Sequence, residues 1–420
     1  MPSITNQEWL RKYAELVIHV GLNLRAGQRL IIHNGSTRGV PLHVAPLIRE
    51  IVRAAYKAGA RYVDVIWNDE ELLRIRAQLA PRDSVKEYSA WQVQGLVDMI
   101  EKGDAILTIR SNNPALLSDL DPNFVGEWQQ THAKYYEPVL KAATSNKINW
   151  CVISAASPAW ASRIFPKLSP KAAEAKLWKA IFEITRLDQS NPVRAWEQHI
   201  KILTMRANFL TTRNYSKLIY KAPGTNLTIG LPQAHKWIAA MEHAQNGIDF
   251  CANIPTEEVF TMPHCDQVDG TVTASLPLSY GGSLIKNFSL SFEKGRVTRV
   301  SAKSGEFLLK QLVATDEGAA RLGEVSLVPQ SSPIAQKKML FYDTLIDENA
   351  ACHLAVGQAI QSCLENGSGL TDDEFRKRGG NNSITHVDFM IGSEKMDIDG
   401  TRADGSVEPI MRRGEWASKI

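Results

Sequence analysis

The sequence predicts two domains of different class: an α/β domain with a parallel sheet over residues 1–215, and an α+β domain rich in antiparallel strands over residues 216–420. Three observations lead to this prediction. A chain of 420 residues is too long for one ordinary hydrophobic core. Helix and strand patterns alternate in the first half, as they do in βαβ units. After about residue 215, short alternating strands separated by turn residues replace the helical patterns.

The spacing of apolar residues assigns the first elements. An amphipathic stripe predicts a helix over residues 7–22, and the run RLIIH predicts a strand over residues 29–33. Helical spacing over residues 42–58, ended by Gly59, precedes a second strand over residues 61–67. A strand, a helix and a strand in this order form a βαβ unit, which implies parallel strands.

Two further buried strands extend the predicted parallel sheet, AILTIR over residues 105–110 and WCVIS over residues 150–154. Two long helices follow them, over about residues 171–187 and 192–213. The second helix carries apolar residues at alternating spacings of four and three, which predicts one packed face.

Hairpin signals mark the second half. The runs KLIYK and TNLTIG flank a turn at Pro223-Gly224, and the alternating run NFSLSFE ends at a turn at Lys294-Gly295. Two extended runs joined by such a turn predict antiparallel pairing. We therefore expect the second domain to be rich in antiparallel strands.

Composition excludes several classes of protein. The net charge is +3, from 48 basic and 45 acidic residues, which gives no reason to expect a nucleic-acid or membrane partner. The five cysteines are scattered without a C-x-x-C pair, so neither a disulfide framework nor a cysteine zinc site is expected. The charged N-terminus is unlike a signal peptide, and no apolar run reaches the roughly 20 residues of a membrane helix. The βαβ region contains neither G-x-G-x-x-G nor G-x-x-x-x-G-K-[ST], the two glycine motifs that bind nucleotides.

The run THVDFMIG, over residues 385–392, carries an imidazole and a carboxylate in an otherwise apolar strand. Side chains two residues apart on a strand point to the same face, so His386 and Asp388 converge on one point. Burial of such a pair requires a partner. A divalent metal is one such partner, and a simple hydrogen bond within the pair is the alternative.

The other histidines offer one further candidate. Residues 347–367 are predicted to form a helix, and His353 would lie in an early turn among small residues. Seven histidines stand without an acidic motif of recognisable spacing and are interpreted as core or surface residues: His19, His33, His43, His132, His199, His235 and His243.

Two glutamate segments complete a possible ligand set. Glu257 and Glu258 stand side by side in NIPTEEVFTMPH, and only one of them can face a given site if the segment is extended. Glu324 opens an apolar strand in ARLGEVSLVP, a position where glutamate is depleted. Carboxylates and imidazoles without cysteine suit a hydrolytic zinc, cobalt or manganese centre, and five such groups could hold two metals.

Five runs of the sequence together resemble the thermophilic aminopeptidase family of the AmpS/PepS type: NIPTEEVFTMPH, GTVTASLPLSYGG, ARLGEVSLVPQSSPI, LFYDTLIDENAACHLAVG and ITHVDFMIGSEKMDIDG. A softer similarity lies in YAELVIHVGLNLRAGQRLII, so the resemblance covers essentially the whole chain. The resemblance implies that the second domain carries a metal site.

The resemblance also implies a set of residue roles. Glu258, Glu324, His353, His386 and Asp388 would be the metal ligands of a two-metal site. The family removes N-terminal amino acids from peptides with two divalent ions, variously zinc, cobalt or magnesium. Its members are cytoplasmic homodimers, so we expect peptide substrates with a free N-terminus, a homodimer and a cytoplasmic location.

Catalysis also requires a general base, and the pair Glu257–Glu258 is the natural place to look for it. With Glu258 as a ligand, Glu257 becomes either the base or a group that supports a ligand. The expected catalytic carboxylates are therefore Glu257, Glu258 and Glu324.

One position departs from the family. A tyrosine seven residues after the helix histidine contributes to the family's metal site, and Ile360 stands there in this chain. On a helix, seven residues make two turns, so Ile360 would share a face with His353. The alternative to an active peptidase is therefore a weak or silent relative that retains its metals and binds peptides.

Overall fold

The computed structural model describes residues 7–35, 39–111, 113–280 and 283–418. The last two residues of the GTVTASLPLSYGG run, Gly281 and Gly282, lie outside these ranges. Within the described part of the chain, no helix has the length and apolar character needed to cross a membrane.

The chain divides into two compact units. The first comprises residues 1–198 and 241–255, and the second comprises residues 199–240 and 256–420. The first cut, between residues 198 and 199, lies within about 20 residues of the predicted boundary near residue 215, and residues 241–255 form a later segment of the first unit. Asn253 and Ile254 add a strand beside Val152 and Ile153, and that pairing places the returning segment in the first sheet.

Helices and short strands alternate through the first 255 residues. The helices are α1 (Gln7–Leu16), α2 (Ala45–Lys57), α3 (Glu71–Leu79), α4 (Ala90–Glu101), α5 (Pro122–Thr144), α6 (Pro158–Ile164), α7 (Pro170–Ile184) and α8 (Pro192–Arg213). The strands are β1 (Arg29–His33), β2 (Val40–Pro41), β3 (Tyr62–Val65), β4 (Trp67–Asn68), β5 (Ala105–Arg110), β6 (Trp150–Ser154), β7 (Lys217–Ala222), β8 (Thr225–Gly230), β9 (Ile238–Ala239), β10 (Met241–His243), β11 (Asp249–Cys251) and β12 (Asn253–Ile254).

A parallel sheet forms the centre of the first unit, in the order β12-β6-β5-β1-β3. Ile31 and Ile106, on neighbouring strands, belong to a buried cluster with Val93, Leu96 and Ile100 of α4. This arrangement confirms the predicted α/β class. Strands β1, β5 and β6 have the predicted bounds, whereas α3, α4 and α5 carry no pattern that the sequence analysis used.

The second unit is built from antiparallel strands, as predicted. Its later helices are α9 (Glu306–Val313), α10 (Thr344–Asp347) and α11 (Asp372–Lys377). Its later strands are β13 (Val259–Thr261), β14 (Val268–Thr273), β15 (Leu278–Tyr280), β16 (Ser283–Glu293), β17 (Arg296–Ser304), β18 (Leu322–Leu327), β19 (His353–Gly357), β20 (His386–Met390), β21 (Asp397–Thr401), β22 (Val407–Arg412) and β23 (Glu415–Trp416).

Two sheets organise this unit. The larger has the order β15-β16-β14-β8-β7-β21-β22-β23, with β17 paired to β16. The smaller has the order β20-β19-β18-β13-β9, and each of its pairs is antiparallel. The smaller sheet carries Glu324, His353, His386 and Asp388, and Glu258 directly precedes its strand β13.

The predicted helix over residues 347–367 is wrong. Helix α10 ends at Asp347, a single 3₁₀ turn covers Glu348–Ala350, and His353 begins strand β19. All five residues of β19 are buried, with β18 on one side and β20 on the other. The small residues of this run match a helical pattern, but they serve to pack a strand that is covered on both faces.

Candidate metal centre

Strand register places the candidate ligands on one face of the smaller sheet. Ala355, in the middle of β19, lies opposite Glu324 on β18 and opposite Asp388 on β20. His353 lies opposite Ser326, two residues from Glu324. Because side chains alternate along a strand, directly paired residues share a face with their neighbours two positions away. The methyl group of Ala355 therefore leaves room between two carboxylates.

A β-bulge at Gly323 sets the direction of Glu324. Leu322 pairs with Val356, whereas Glu324 pairs with Ala355, so Gly323 is an extra residue in β18. A Cβ atom at Gly323 would lie 2.3 Å from the carbonyl oxygen of Gln358, so only glycine fits there. Bulges of this kind redirect side chains beside functional sites.

Glu258 joins the cluster from the residue directly before β13. Its Oε2 atom accepts a 2.7 Å hydrogen bond from Ser326 Oγ and lies 3.0 Å from His353 Nε2. The Glu258 and His353 side chains are only 8% and 1% exposed. Glu258 is therefore a buried carboxylate fixed on two sides.

Glu324 faces both histidines. Its Oε1 lies 3.5 Å from His353 Nε2, and its Oε2 lies 3.4 Å from His386 Nε2. His386 Nε2 is in turn 3.3 Å from Asp388 Oδ1. The ligand atoms form two groups that share Glu324, one with Glu258 and His353 and one with His386 and Asp388. The five sequence-predicted ligands thus lie together as two adjoining three-residue groups.

The contacts of both rings fit a metal site. His353 Nδ1 lies 3.1 Å from the Ala351 carbonyl oxygen, and His386 Nδ1 lies 2.7 Å from the Gln358 carbonyl oxygen. A carbonyl oxygen can only accept, so each Nδ1 carries the hydrogen, as in metal-binding histidines. Each Nε2 faces carboxylate oxygens, an arrangement that requires a proton or a cation between them. Asp388 Oδ1 is also buried without a hydrogen-bond partner in the described chain.

The carboxylates and imidazoles of the cluster shift each other's pKa values. Burial acts to lower the pKa of His353, but hydrogen bonds to Glu258 and Glu324 outweigh it and hold that pKa well above its ordinary value. Burial also acts to lower the pKa of His386, but Asp388 and Glu324 raise it well above its ordinary value. Burial acts to raise the pKa of Glu324, but its bonds to both histidines lower it to about 2. The cluster therefore attracts positive charge.

Glu257, the other half of the glutamate pair, is also buried but makes different contacts. Its backbone N–H donates a 2.7 Å bond to Asn349 Oδ1, and its Oε2 lies 3.5 Å from His199 Nε2. His199 Nε2 also lies 2.8 Å from the Thr256 carbonyl oxygen. The sequence analysis interpreted His199 as a core or surface residue, and the structure places it beside a candidate catalytic carboxylate.

Glu348 was missed by the sequence analysis. It is half-buried at the start of the 3₁₀ turn that packs against β20. Burial raises the pKa of its carboxyl well above the ordinary value, and the charges of Asp388 and Glu258 raise it further. No sequence signal marked it because the segment was assigned to a helix. Ser326 could have been found, since it lies two residues after Glu324 on a strand.

Ile360 lies three residues beyond the end of β19 and packs against a cluster of Met262, Ala359, Cys363 and Phe375. The expectation that it shares a helical face with His353 is wrong, because His353 is on a strand. The spacing of seven residues therefore carries no information about the distance between the two side chains.

A third group of metal-ligand types comprises His264, Cys265 and Asp266. Asp266 Oδ1 accepts bonds from Arg321 and Arg376, at 2.6 and 2.9 Å. Two guanidinium groups on one carboxylate already supply positive charge, so a metal cation is not expected there. Among the described residues, His264 bonds to the Asp266 N–H and to none of the five candidate ligands.

The chain is similar to known proteins over nearly its whole length. Residues 6–416 match the family described as thermophilic metalloprotease (M29). The chain is 44% identical to aminopeptidase 2 of Geobacillus stearothermophilus over 98% of each chain. It is 45% identical to aminopeptidase AmpS of Bacillus subtilis (strain 168) over 97% of this chain and 98% of that protein. The solved structure of wild-type AmpT from Thermus thermophilus matches with a TM-score of 0.91 at 43% identity, over 98% of this chain and 99% of that chain.

The family match covers both units, and the TM-score shows that the order and packing of their elements are shared. These findings confirm the resemblance to the AmpS/PepS type and the two-class fold. A divalent metal follows from the family, and the two groups of ligand types offer places for it. The chain belongs to the M29 family of thermophilic metalloproteases.

Proposed function

We propose that this metallo-aminopeptidase releases N-terminal amino acids from peptides by means of a water molecule activated between two divalent metal ions. The ligands would be Glu258, Glu324, His353, His386 and Asp388. One observation carries the proposal: the two oxygens of Glu324 face different histidines, at 3.5 and 3.4 Å. A carboxylate placed in this way can bridge two cations.

The donor set indicates which metals the site would accept. Three carboxylates and two neutral imidazoles without a thiolate suit zinc, cobalt or manganese, and the resemblance adds magnesium. When bound, such ions lower the pKa of a water molecule and polarise a carbonyl group. We propose zinc, cobalt or magnesium as the native ion.

Glu257 is the residue that we propose as the proton acceptor. Its backbone is held by Asn349, and its carboxylate lies beside His199, so its position is fixed from two directions. Glu258 is engaged by Ser326 and His353 and is better placed as a ligand. The adjacent pair thus divides into a ligand and a base. Glu257 would take the proton from the attacking water and pass it to the departing amine.

The alternative is a weak or silent relative that retains its metals and binds peptides, because Ile360 replaces the family's tyrosine. Ile360 does not follow His353 on a helix, so the alternative rests on the resemblance alone. An isoleucine still offers no hydrogen-bond donor to a developing oxyanion. Turnover measured against that of Ile360→Tyr separates the two functions.

The decisive experiment is reconstitution of metal-stripped protein. Zn²⁺, Co²⁺ or Mg²⁺ is added, metal content is measured, and release of leucine from leucinamide is followed, with N-acetyl-leucinamide as the blocked substrate. We expect two ions per chain and release from the free-amine substrate only. Protein that binds metal but releases no leucine would refute the peptidase assignment.

Matched variants test the ligand assignment. His386→Ala should lower metal content and abolish release. His243→Ala should do neither, although His243 also pairs with a carboxylate, Asp249, at 2.7 Å on the surface of the first unit. A His386→Ala protein with full metal content would contradict the assignment.

Location and assembly rest on the resemblance. We propose a cytoplasmic homodimer, and sedimentation of the purified chain measures the second part. The five cysteines are buried and form no disulfide in the described chain, which suits a reducing compartment.

A further inference from the structure

We infer that the free edge of strand β20 pairs with the main chain of the peptide substrate, an assignment that rests on the proposed function. β20 is the outermost strand of the smaller sheet, and among the described strands it pairs with β19 alone. The outer side of such a strand presents N–H and C=O groups with which a further extended chain can pair. The same strand carries His386 and Asp388. A peptide bound along this edge would therefore reach the candidate metal centre through its main chain.

Hydrogen bonds at the two ends of β20 show which of its residues face outward. The Ile391 N–H donates a 2.8 Å bond to the Cys352 carbonyl oxygen, and the Gln358 N–H donates a 2.7 Å bond to the Thr385 carbonyl oxygen. Main-chain groups alternate in direction along an antiparallel pair, so the odd-numbered residues from 385 to 391 bond to β19. The even-numbered residues 386, 388 and 390 therefore direct their N–H and C=O groups to the outer edge.

This outer edge is closed at one end and open at the other. The Ser275 N–H donates a 2.8 Å bond to the Met390 carbonyl oxygen, so a segment of this chain already occupies the edge there. In the described part of the chain, the outward N–H and C=O groups of His386 and Asp388 make no hydrogen bond. His386 is exposed, and Ile384, at the bend before the strand, is 83% exposed. Two pairing positions thus remain, and they open toward the start of β20.

The main chain of Asp388 requires a partner. Asp388 is only 8% exposed, so water has little access to its N–H group. A buried N–H group without a hydrogen bond is rare, because it has lost water without replacement. A metal ion cannot fill this role, since an N–H group is a donor and has no lone pair to offer. A carbonyl oxygen of a bound peptide would satisfy it.

The closed end fixes the direction of the peptide. No residue can precede the one opposite Asp388, because Ser275 occupies the next outward position. The N-terminal residue of the peptide therefore lies opposite Asp388 and its third residue lies opposite His386, antiparallel to β20. The N–H group of the third residue then donates to the His386 carbonyl oxygen, whereas those of the second and fourth residues point away. An edge with this stop admits a free N-terminus and excludes an internal segment of a longer chain.

The test alters the peptide, because His386 and Asp388 are proposed ligands and their substitution would also change metal binding. Three probes share the sequence Leu-Ala-Ala-Ala-amide, with the first peptide bond reduced to a methylene-amine that cannot be hydrolysed. One probe is otherwise unmodified, one carries an N-methyl group on its third residue, and one carries it on its fourth. Binding of each probe to metal-loaded protein is measured by calorimetry.

The expected result is a loss at alternate positions. Loss of one main-chain hydrogen bond lowers affinity roughly 2- to 12-fold, and an N-methyl group also keeps two strands apart. We therefore expect methylation of the third residue to weaken binding at least about fivefold, and methylation of the fourth to leave affinity within about twofold. The probe methylated on its fourth residue is the matched control, since it differs only in the position of one methyl group.

Equal losses for the two methylated probes, equal affinity of all three probes, or no detectable binding of the unmodified probe would each overturn the assignment. Shortening the unmodified probe is an independent check. Removal of the fourth residue should leave affinity unchanged, and further removal of the third should lower it; the reverse order would also overturn the assignment. Hydrolysis of the ordinary peptide Leu-Ala-Ala-Ala-amide is measured separately, so failure of the proposed function is distinguishable from failure of this inference.

Discussion

Replacement of Ser326 by alanine tests whether the groups around the ligands set metal affinity. Ser326 lies on the buried strand β18, and its hydroxyl donates the 2.7 Å bond to Glu258 Oε2. Alanine fits the same strand and removes only the hydroxyl. Glu258 then retains His353 as its partner, at 3.0 Å, but loses the contact that fixes its orientation.

The expected size follows from the type of bond. A hydrogen bond to a charged group contributes about 1.5–3 kcal/mol, or roughly 10- to 150-fold in affinity. Outer partners of metal ligands typically contribute about 10- to 100-fold. The metal-free protein also loses this bond, so part of the cost cancels. We therefore expect the Kd for metal to rise about tenfold.

Competition with a chelating indicator measures Kd for Zn²⁺ in wild type and in Ser326→Ala. Ser331→Ala is a matched control because Ser331 Oγ also donates to a glutamate, Glu415 Oε2 at 2.9 Å, but on the surface. The control should bind metal as wild type does. A folded Ser326→Ala protein whose Kd lies within twofold of wild type would refute the reasoning.

Three further substitutions have defined outcomes. Glu257→Gln should lower kcat about 10²- to 10⁴-fold at unchanged metal content, as measured by steady-state kinetics and metal analysis, and a loss of metal would instead make Glu257 a ligand. Ile360→Tyr should cost about 1–3 kcal/mol of unfolding free energy, because Ile360 packs against an apolar cluster, and should change kcat by less than tenfold. A rise of about 10²-fold or more in that kcat would favour the weak-relative alternative. Burial lowers the pKa of His33 from 6.5 to about 4. Neutral His33 therefore contributes to the free energy of unfolding above pH 6.5, and this contribution is lost as the pH falls from 6.5 through 4. The pKa difference corresponds to about 3 kcal/mol of unfolding free energy. Between pH 6.5 and pH 4, the unfolding free energy of His33→Gln, measured by chemical unfolding, should fall by about 3 kcal/mol less than that of wild type. Equal decreases in the two proteins would contradict the assignment.

Patterns with a short period were readable in the sequence. The alternation of His386 and Asp388 requires only a strand, and β20 is one. Glu324 was identified as an unusual residue at the head of an apolar strand, and it lies in β18. The parallel strands of the first unit were equally visible because buried strands are continuous apolar runs. Local sequence thus marked His386, Asp388 and Glu324 as candidates, and the resemblance implied the full ligand set.

Information about long-range pairing was not readable. His353 was assigned to a helix because its neighbours are small, and only its pairing with β18 and β20 makes the segment a strand. The bulge at Gly323 is likewise visible only from the shifted register. Glu348 and Asn349 acquire their positions from tertiary packing of a 3₁₀ turn. These features depend on contacts between distant segments, which one sequence does not contain.

The candidate ligands come from four strand regions, and the last of them is position 388 of 420. A chain synthesised from its N-terminus exposes Glu258, Glu324 and His353 well before His386 and Asp388 exist. The incomplete set has two carboxylates and one imidazole, and its sheet lacks the edge strand β20. The group of Glu324, His386 and Asp388 therefore cannot form until Asp388 has been synthesised. Any truncation before that point leaves only the group of Glu258, Glu324 and His353.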